Sequence, residues 1–297
     1  MKTIHLICNP VSGKGATNDA LAKIKEWAKT QNDLDLQVHV TENVGHATII
    51  TKDLTSTGQQ VNLFVIGGDG TLNEVLNGID NFDNTVLGVL PFGSGNDFAF
   101  ALGIKETDPV ALFNKYLTNP VEWKIDYLLL NEKYRVINGV GIGLSAEVIA
   151  YRNKMKHFKP KTQYKIATVI KSLFWKSKKC IIQVGDAAPN EVSTLWLTIN
   201  NGKRIGGSVI THPDSKLDDG LMSVMYVKKF NHIKTIHHLA VIKKGKIKSI
   251  KDARFFDAKE LVIDLSDSVI EYDGCLLEHQ NKITVRVIPN KLRVLKA

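Results

Sequence analysis

Three glycine-rich segments carry side chains able to handle a phosphate: Asn9-Pro10-Val11-Ser12-Gly13-Lys14-Gly15, Gly67-Gly68-Asp69-Gly70-Thr71 and Gly93-Ser94-Gly95-Asn96-Asp97. Glycine lets the main chain come close to phosphate oxygens, and the N–H groups at a helix start attract an anion. The first segment falls short of the G-x-x-x-x-G-K-[ST] loop, because Cys8 stands at the first glycine and Gly15 at the Ser/Thr position. In the second, a carboxylate among three glycines is placed to act on phosphates through a metal ion, although Gly-Gly-Asp-Gly also suits a tight turn. The third adds Asp97 at a helix start, where Asn or Asp also serves as a plain cap. Gly141-Ile142-Gly143-Leu144-Ser145-Ala146 has the spacing of a dinucleotide fingerprint. The acid that should follow about 20 residues later is absent, so nicotinamide binding is not expected there.

The elements that must position these loops read as repeated strand–loop–helix units. Thr3 to Cys8, Leu36 to Val40, Val61 to Ile66 and Val86 to Leu90 are strand-like. Helices are expected with Leu21, Ile24, Trp27 and Ala28 on one face, over Gly45 to Leu54, from about Thr71, from about Asn96, and over Asp108 to Leu117. Such alternation predicts an α/β domain with a mostly parallel sheet, whose ligands lie beyond the carboxyl ends of the strands. All three glycine segments follow such ends, and together they point to a bound nucleotide. After Pro120 the pattern becomes short strands: Val121 to Leu130, Tyr134 to Val140, Cys180 to Val184, Leu195 to Asn200, Leu221 to Val227, Leu261 to Leu265, Val269 to Tyr272 and Ile283 to Val287. Helices are expected over Gln163 to Trp175 and His232 to Lys244. A β-rich second domain follows.

The chain of 297 residues, 43% of them apolar, can bury an ordinary core. Cys8, Cys180 and Cys275 are too far apart in sequence to suggest a disulfide framework or a zinc site, which fits reduced thiols in the cytosol. The first residues lack the long apolar run of a signal peptide, and apolar runs elsewhere stay far below the roughly 18 to 20 residues of a spanning helix. Membrane contact is therefore expected to be peripheral. The net charge of +9 suits an anionic surface, nucleic acid or solubility. Between Tyr151 and Lys179 lie ten cations (Arg152, Lys154, Lys156, Lys159, Lys161, Lys165, Lys171, Lys176, Lys178, Lys179) and no acid, interleaved with Phe158, Tyr164, Phe174 and Trp175. Lys243, Lys244, Lys246, Lys248 and Lys251 form a second cluster. Either cluster suits docking on an anionic bilayer or a solvated face. Nucleic-acid binding would leave the glycine loops idle.

The ordered set Asn9-Pro-Val-Ser-Gly-Lys, Gly67-Gly-Asp-Gly-Thr-Leu-Asn-Glu, Pro91-Phe-Gly-Ser-Gly-Asn-Asp and Leu217-Asp-Asp-Gly-Leu resembles the bacterial diacylglycerol kinase and sphingosine-kinase-like lipid kinases over nearly the whole chain. Gly-Gly-Asp-Gly-Thr alone is shared with NAD kinases and resembles a phosphofructokinase motif. The resemblance implies an NAD kinase/phosphofructokinase-like α/β nucleotide domain at 1–120, completed by a last strand at 290–297, and a β-sandwich lipid-substrate domain at 121–289. It implies ATP as co-substrate, Mg²⁺, a lipid such as diacylglycerol as acceptor, a place at the cytoplasmic face of the membrane, and compatibility with a homodimer.

Residue by residue, the resemblance implies that Asn9, Ser12, Lys14, Thr41, Gly67, Gly68, Asp69, Gly70 and Thr71 line the nucleotide, with Gly93, Ser94 and Asn96 nearby. Asp69 and Asp97 would hold the catalytic magnesium. Asp273 would be the general base. Asp219, with the carbonyls of Lys216 and Leu221, would hold a structural magnesium, the alternative being an Asp-Asp-Gly turn. Gly141 and Gly143 would form a close turn. The family's Asp-Gly-Glu reads Asp273-Gly274-Cys275 here, and a thiol is a poor ligand for a hard cation. Glu278 either substitutes for that glutamate or is a solvated surface residue. The departure keeps open a catalytically weak lipid- or nucleotide-binding regulator of the same fold.

Overall fold

The computed structural model describes residues 2–155, 160–174, 176–207, 209–228, 238, 241–242 and 245–296. Its contacts form two compact units, Met1–Tyr127 with Pro289–Ala297, and Leu128–Ile288.

The first unit contains β1 (Lys2–Cys8), α1 (Ala16–Ala28), β2 (Leu34–Val40), α2 (His46–Thr55), β3 (Val61–Gly67), α3 (Asp69–Gly78), β4 (Thr85–Pro91), α4 (Asp97–Leu102) and α5 (Pro109–Thr118). The strands are parallel in the order β4-β3-β1-β2, and Arg293 and Val294 of the last strand pair in parallel with β4. Strand alternation sends Ile4, Leu6 and Cys8 to the face covered by Ala20, Leu21 and Ile24 of α1 and by Phe113 and Tyr116 of α5. From β1 the chain adds β2 on one side and β3 on the other. That reversal opens a crevice beyond the carboxyl ends of β1 and β3, where ligands bind in such sheets.

The second unit contains only the end of β5 (Val121–Leu130), whose greater part belongs to the first unit, then β6 (Tyr134–Val136), β7 (Gly139–Gly143), α6 (Leu144–Asn153), α7 (Pro160–Phe174), β8 (Lys178–Val184) and β9 (Asn190–Thr194). It continues with β10 (Trp196–Asn200), β11 (Arg204–Ile205), β12 (Val209–Ile210), β13 (Met222–Val227), β14 (Ala253–Ala258), β15 (Glu260–Tyr272) and the greater part of β16 (Cys275–Lys296). Pairing is antiparallel in the order β14-β13-β10-β7-β15. β15 pairs with β8 through Leu261–Asp264, loses register before Ile270, and then pairs with β7. A strand that changes partner at an irregularity is how a sheet turns into a second layer. Val140, Ile142, Leu197, Ile199 and Ile270 lie in one apolar core, and Trp196, Met225, Leu144, Val148 and Ala167 in another, beneath α6 and α7.

Several expectations change. The run Tyr134 to Val140 divides between β6 and β7, and the two runs before Tyr272 are halves of one strand. β9, β14 and α6 were not anticipated. Gly141 lies inside β7, not in a turn; only Gly143, at φ 80°, turns the chain into α6. The helix expected at 232–244 lies largely outside the described residues, as do Lys156, Phe158, Lys159, Trp175, Lys243 and Lys244 and the side chain of Lys161.

Candidate functional site

The three glycine loops of the first unit are tied to one another. Asn9 N–H donates to the Ile66 carbonyl at 3.2 Å and Phe92 N–H to the Gly67 carbonyl at 2.9 Å, so sheet pairing persists into the loops. Asn9 Nδ2 donates to Thr71 Oγ1 at 3.0 Å, and Asn9 Oδ1 accepts the Val11 N–H at 3.1 Å. Thr17 Oγ1 donates to the Asn9 and Ser12 carbonyls at 2.9 and 3.2 Å. The glycines allow this packing. A Cβ on Gly13 would lie 2.1 Å from the Phe92 carbonyl oxygen, and one on Gly93 2.3 Å from Gly68 Cα. Gly15 and Gly70 differ, since a Cβ on either would meet nothing within 4 Å. Glycine at Gly13, Gly68 and Gly93 thus serves the loops themselves, and Gly70 is where the main chain offers an open approach.

The third loop is locked by Asn96 at φ 55°. Its Oδ1 accepts the Gly93 N–H at 2.9 Å, while Nδ2 donates to the Pro91 and Gly93 carbonyls at 3.2 and 3.1 Å. Asn96 therefore does not cap α4. Asp69 does, from the second loop: its two oxygens accept the N–H groups of Asp97 and Phe98 at 3.0 and 3.1 Å. The start of α3 and the start of α4 are thereby fixed to each other, with the buried Asp97 alongside. Thr41 is buried just after β2 and donates its N–H to the Cys8 carbonyl at 2.9 Å. Ser12 is half-buried, whereas Lys14 and Ser94 are exposed. Burial pushes the Cys8 thiol up to about 11, so it stays neutral beside the loops.

Magnesium is bound through one or two carboxylates and completes its oxygen shell with water and phosphate. Asp69 and Asp97, at neighbouring helix starts, fit that donor set. Among the described residues there is no cluster of three or more His, Cys, Asp or Glu side chains. At the turn 216–221, Asp219 Oδ1 accepts the Leu221 N–H at 3.1 Å, a local bond of an Asp-Asp-Gly turn.

In the second unit Asp273 and Gly274, at φ 45° and 88°, form the two-residue turn between β15 and β16, with Tyr272 paired to Cys275. Positive φ at both positions is the hairpin geometry that Asp-Gly favours. The Asp273 carboxylate accepts the N–H groups of Ile137, Asn138 and Gly139 at 2.7, 2.9 and 3.2 Å, which fixes its orientation. Cys275 and Glu278 are exposed. Sequence reasoning had no role for Thr17, for Asp69 as the cap of α4, or for the buried Glu271. The one available signal was a hydroxyl residue entering α1.

Residues 3–126 match the family model of the diacylglycerol kinase catalytic domain, and residues 138–296 match that of the YegS C-terminal NAD kinase beta sandwich-like domain. A diacylglycerol kinase of Bacillus subtilis is 28% identical over 277 residues, covering 92% of this chain and 90% of its own. One from Staphylococcus aureus is 29% identical over 280 residues, covering 92% and 86%. A solved diacylglycerol kinase from Bacillus anthracis superposes with a TM-score of 0.71 at 21% identity, covering 99% of this chain and 97% of that one. An NAD kinase from Archaeoglobus fulgidus in complex with ATP gives 0.52 at 9% identity, covering 99% and 94%. These structural likenesses show the fold: a parallel α/β domain and a β-sandwich.

Proposed function

Since the chain belongs to the lipid-kinase family that joins a diacylglycerol kinase catalytic domain to a YegS C-terminal NAD kinase beta sandwich-like domain, we propose that it transfers the γ-phosphate of ATP to the hydroxyl of diacylglycerol or a related lipid. The observation that carries this reading is the joining of three phosphate-type loops at the carboxyl ends of β1, β3 and β4, with Gly70 open above them. Phosphoryl transfer needs positioning and charge neutralisation more than covalent chemistry. In this reading Asn9, Ser12, Lys14, Thr41, Gly67 to Thr71, Gly93, Ser94 and Asn96 line the nucleotide. Asp69 and Asp97 would hold Mg²⁺, which offsets charge on the phosphate oxygens when bound. Asp273, held by its three main-chain donors, accepts the proton of the lipid hydroxyl. We assign no step to a second cation at the turn 216–221.

The lipid acceptor places the working protein on a bilayer, and among the described residues no helix is long and apolar enough to cross one. We assign the contact to the cytoplasmic, anionic surface. Val169 and Phe174 of α7 and Ile181 of β8 are exposed, as are Lys165, Lys176, Lys178 and Lys179. A second reading, a binding protein of this fold with little transfer, is favoured by Cys275 in place of the family glutamate.

The test is magnesium-dependent transfer of labelled γ-phosphate from ATP into a mixed lipid extract. Labelled lipid from the wild type and none from Asp273→Asn supports the kinase. No label in any lipid, with ATP binding intact, establishes the second reading.

A further inference from the structure

The second face of the parallel sheet carries a pair of histidines that the proposed transfer does not use. Strand alternation turns Thr3, His5 and Ile7 of β1, and Asp35, Gln37 and His39 of β2, away from α1 and α5. Toward the middle of the sheet this face is covered, and Ile7 and Leu63 are 0% exposed. β2 is the edge strand, and there the face stays open: His5 and His39 are half-buried, and Thr3 and Gln37 are exposed. In register His5 stands beside Gln37 and His39 beside Ile7, so the two rings lean toward each other along a diagonal.

Their facing nitrogens, His5 Nδ1 and His39 Nε2, are 3.2 Å apart, with ring centroids at 5.4 Å. A tetrahedral ion at the usual imidazole distance of about 2.0 to 2.1 Å holds two ring nitrogens about 3.3 Å apart. The pair therefore already has the spacing of two ligands. Burial lowers both rings from the ordinary histidine value, so at neutral pH both are in the neutral form that a metal requires. Neutral rings joined by one hydrogen bond carry one proton between the facing nitrogens. Moving it to the far nitrogen of the same ring leaves a lone pair on each facing nitrogen. Asp35 lies near enough for its charge to act on His5, and its oxygens accept from Thr3 Oγ1 at 3.2 Å and Gln37 Nε2 at 2.7 Å. That carboxylate favours a cation at the pair without being a third ligand, since the described residues hold no group of three or more such side chains.

We infer that His5 and His39 form a two-histidine site for a divalent transition ion of the zinc, copper and nickel class, its remaining positions filled by water. Imidazole suits those ions and an oxygen shell suits magnesium, so this site is chemically separate from the magnesium assigned to Asp69 and Asp97. Its place in the fold gives it a structural effect. β1 runs into the Asn9 loop and β2 into Thr41, whose N–H donates to the Cys8 carbonyl at 2.9 Å. An ion joining His5 to His39 staples the two strands shortly before the residues they deliver.

The experiment titrates Zn²⁺ into the full-length chain, first stripped with a chelator, at neutral pH and without nucleotide or lipid, and follows heat and melting temperature. The wild type should bind one equivalent and melt higher with zinc. Loss of an outer partner of a metal ligand costs about 10 to 100-fold in affinity, so His5→Gln and His39→Gln, which each lose a ligand, should bind at least about a hundredfold more weakly. Asp35→Asn should keep the site and weaken it by about tenfold. His279→Gln alters the exposed ring bonded to Asp267 at 3.0 Å, a rival surface pair, and should bind zinc like the wild type. Ring nitrogen spectra of the wild type need no variant to fold: zinc should shift His5 Nδ1 and His39 Nε2 and leave the other rings unchanged. No zinc binding by the wild type, unchanged binding in either His5→Gln or His39→Gln, or shifts at other histidines only would overturn the inference and leave the pair as a hydrogen bond between strands.

Discussion

A methyl group separates the glycines that hold the loops together from those that face a ligand. At Gly93 the added carbon meets Gly68 Cα at 2.3 Å, main chain against main chain, so Gly93→Ala must push the second and third loops apart. At Gly70, inside the first turn of α3, it meets nothing within 4 Å, and alanine is the better helix former by about 0.5 to 1 kcal/mol. Gly70→Ala should therefore melt at or above the wild-type temperature while binding ATP at least about tenfold more weakly if phosphate oxygens approach that backbone. Calorimetric melting and nucleotide titration of both variants check this, and a Gly70→Ala protein with wild-type ATP affinity would remove Gly70 from the site. Asp69→Asn keeps one acceptor for α4 and should cost about 1 to 2 kcal/mol of stability as a weakened cap. A loss of magnesium-dependent transfer beyond about a hundredfold would exceed what that weakened cap explains, and transfer within a few fold of wild type would confine Asp69 to capping.

The strands and helices of the first unit were legible because each alternates apolar residues at its own period: Ile4, Leu6 and Cys8 every second residue, Leu21 and Ile24 three apart. The second unit was less so. Gly141 and Gly143 read as a turn in one dimension, and only pairing to β10 makes them a strand. Asp69 capping α4 joins residues 28 apart, which no local pattern shows. The packing of two histidines on neighbouring strands was equally hidden. His5 Nδ1 and His39 Nε2 are 3.2 Å apart on β1 and β2, and burial lowers both from the ordinary histidine value, with Asp35 opposing this at His5 and His5 adding to it at His39. His212 in the second unit is lowered to about 3, mainly by burial. The unfolded chain takes up these protons near pH 6.5 and the folded chain does not, so stability is full above that range and is lost as pH falls through it. Melting temperature should drop between pH 7.5 and pH 5, less steeply in His39→Gln. A flat profile over that window, or one that rises toward acid, would contradict the burial of these rings.

Across the whole chain a charge of +9 was evident from composition, but its direction was not, because helical phase in the cationic stretch depends on what α7 packs against. In the structure Ala167 is buried inside α7, whereas Val169 and the helix's last residue, Phe174, are 56% and 75% exposed, and Lys165, Lys176, Lys178 and Lys179 are exposed too. Lysine is attracted to an anionic surface through a screened field, and an exposed phenylalanine gains by leaving water at any salt. Binding to phosphatidylglycerol-containing vesicles should therefore fall in two stages. Raising salt to 0.5 M should remove the lysine contribution, and Phe174→Ser should lower binding by about tenfold at either salt, as expected for about half of one buried aromatic side chain. An RNA-binding surface would behave differently: salt would abolish binding, Phe174→Ser would change little, and RNA would displace the vesicles. Sedimentation with vesicles of phosphatidylcholine alone and with phosphatidylglycerol, at both salts and with competing RNA, separates the two. Docking that survives salt through Phe174 would set the second unit against the bilayer that supplies the lipid.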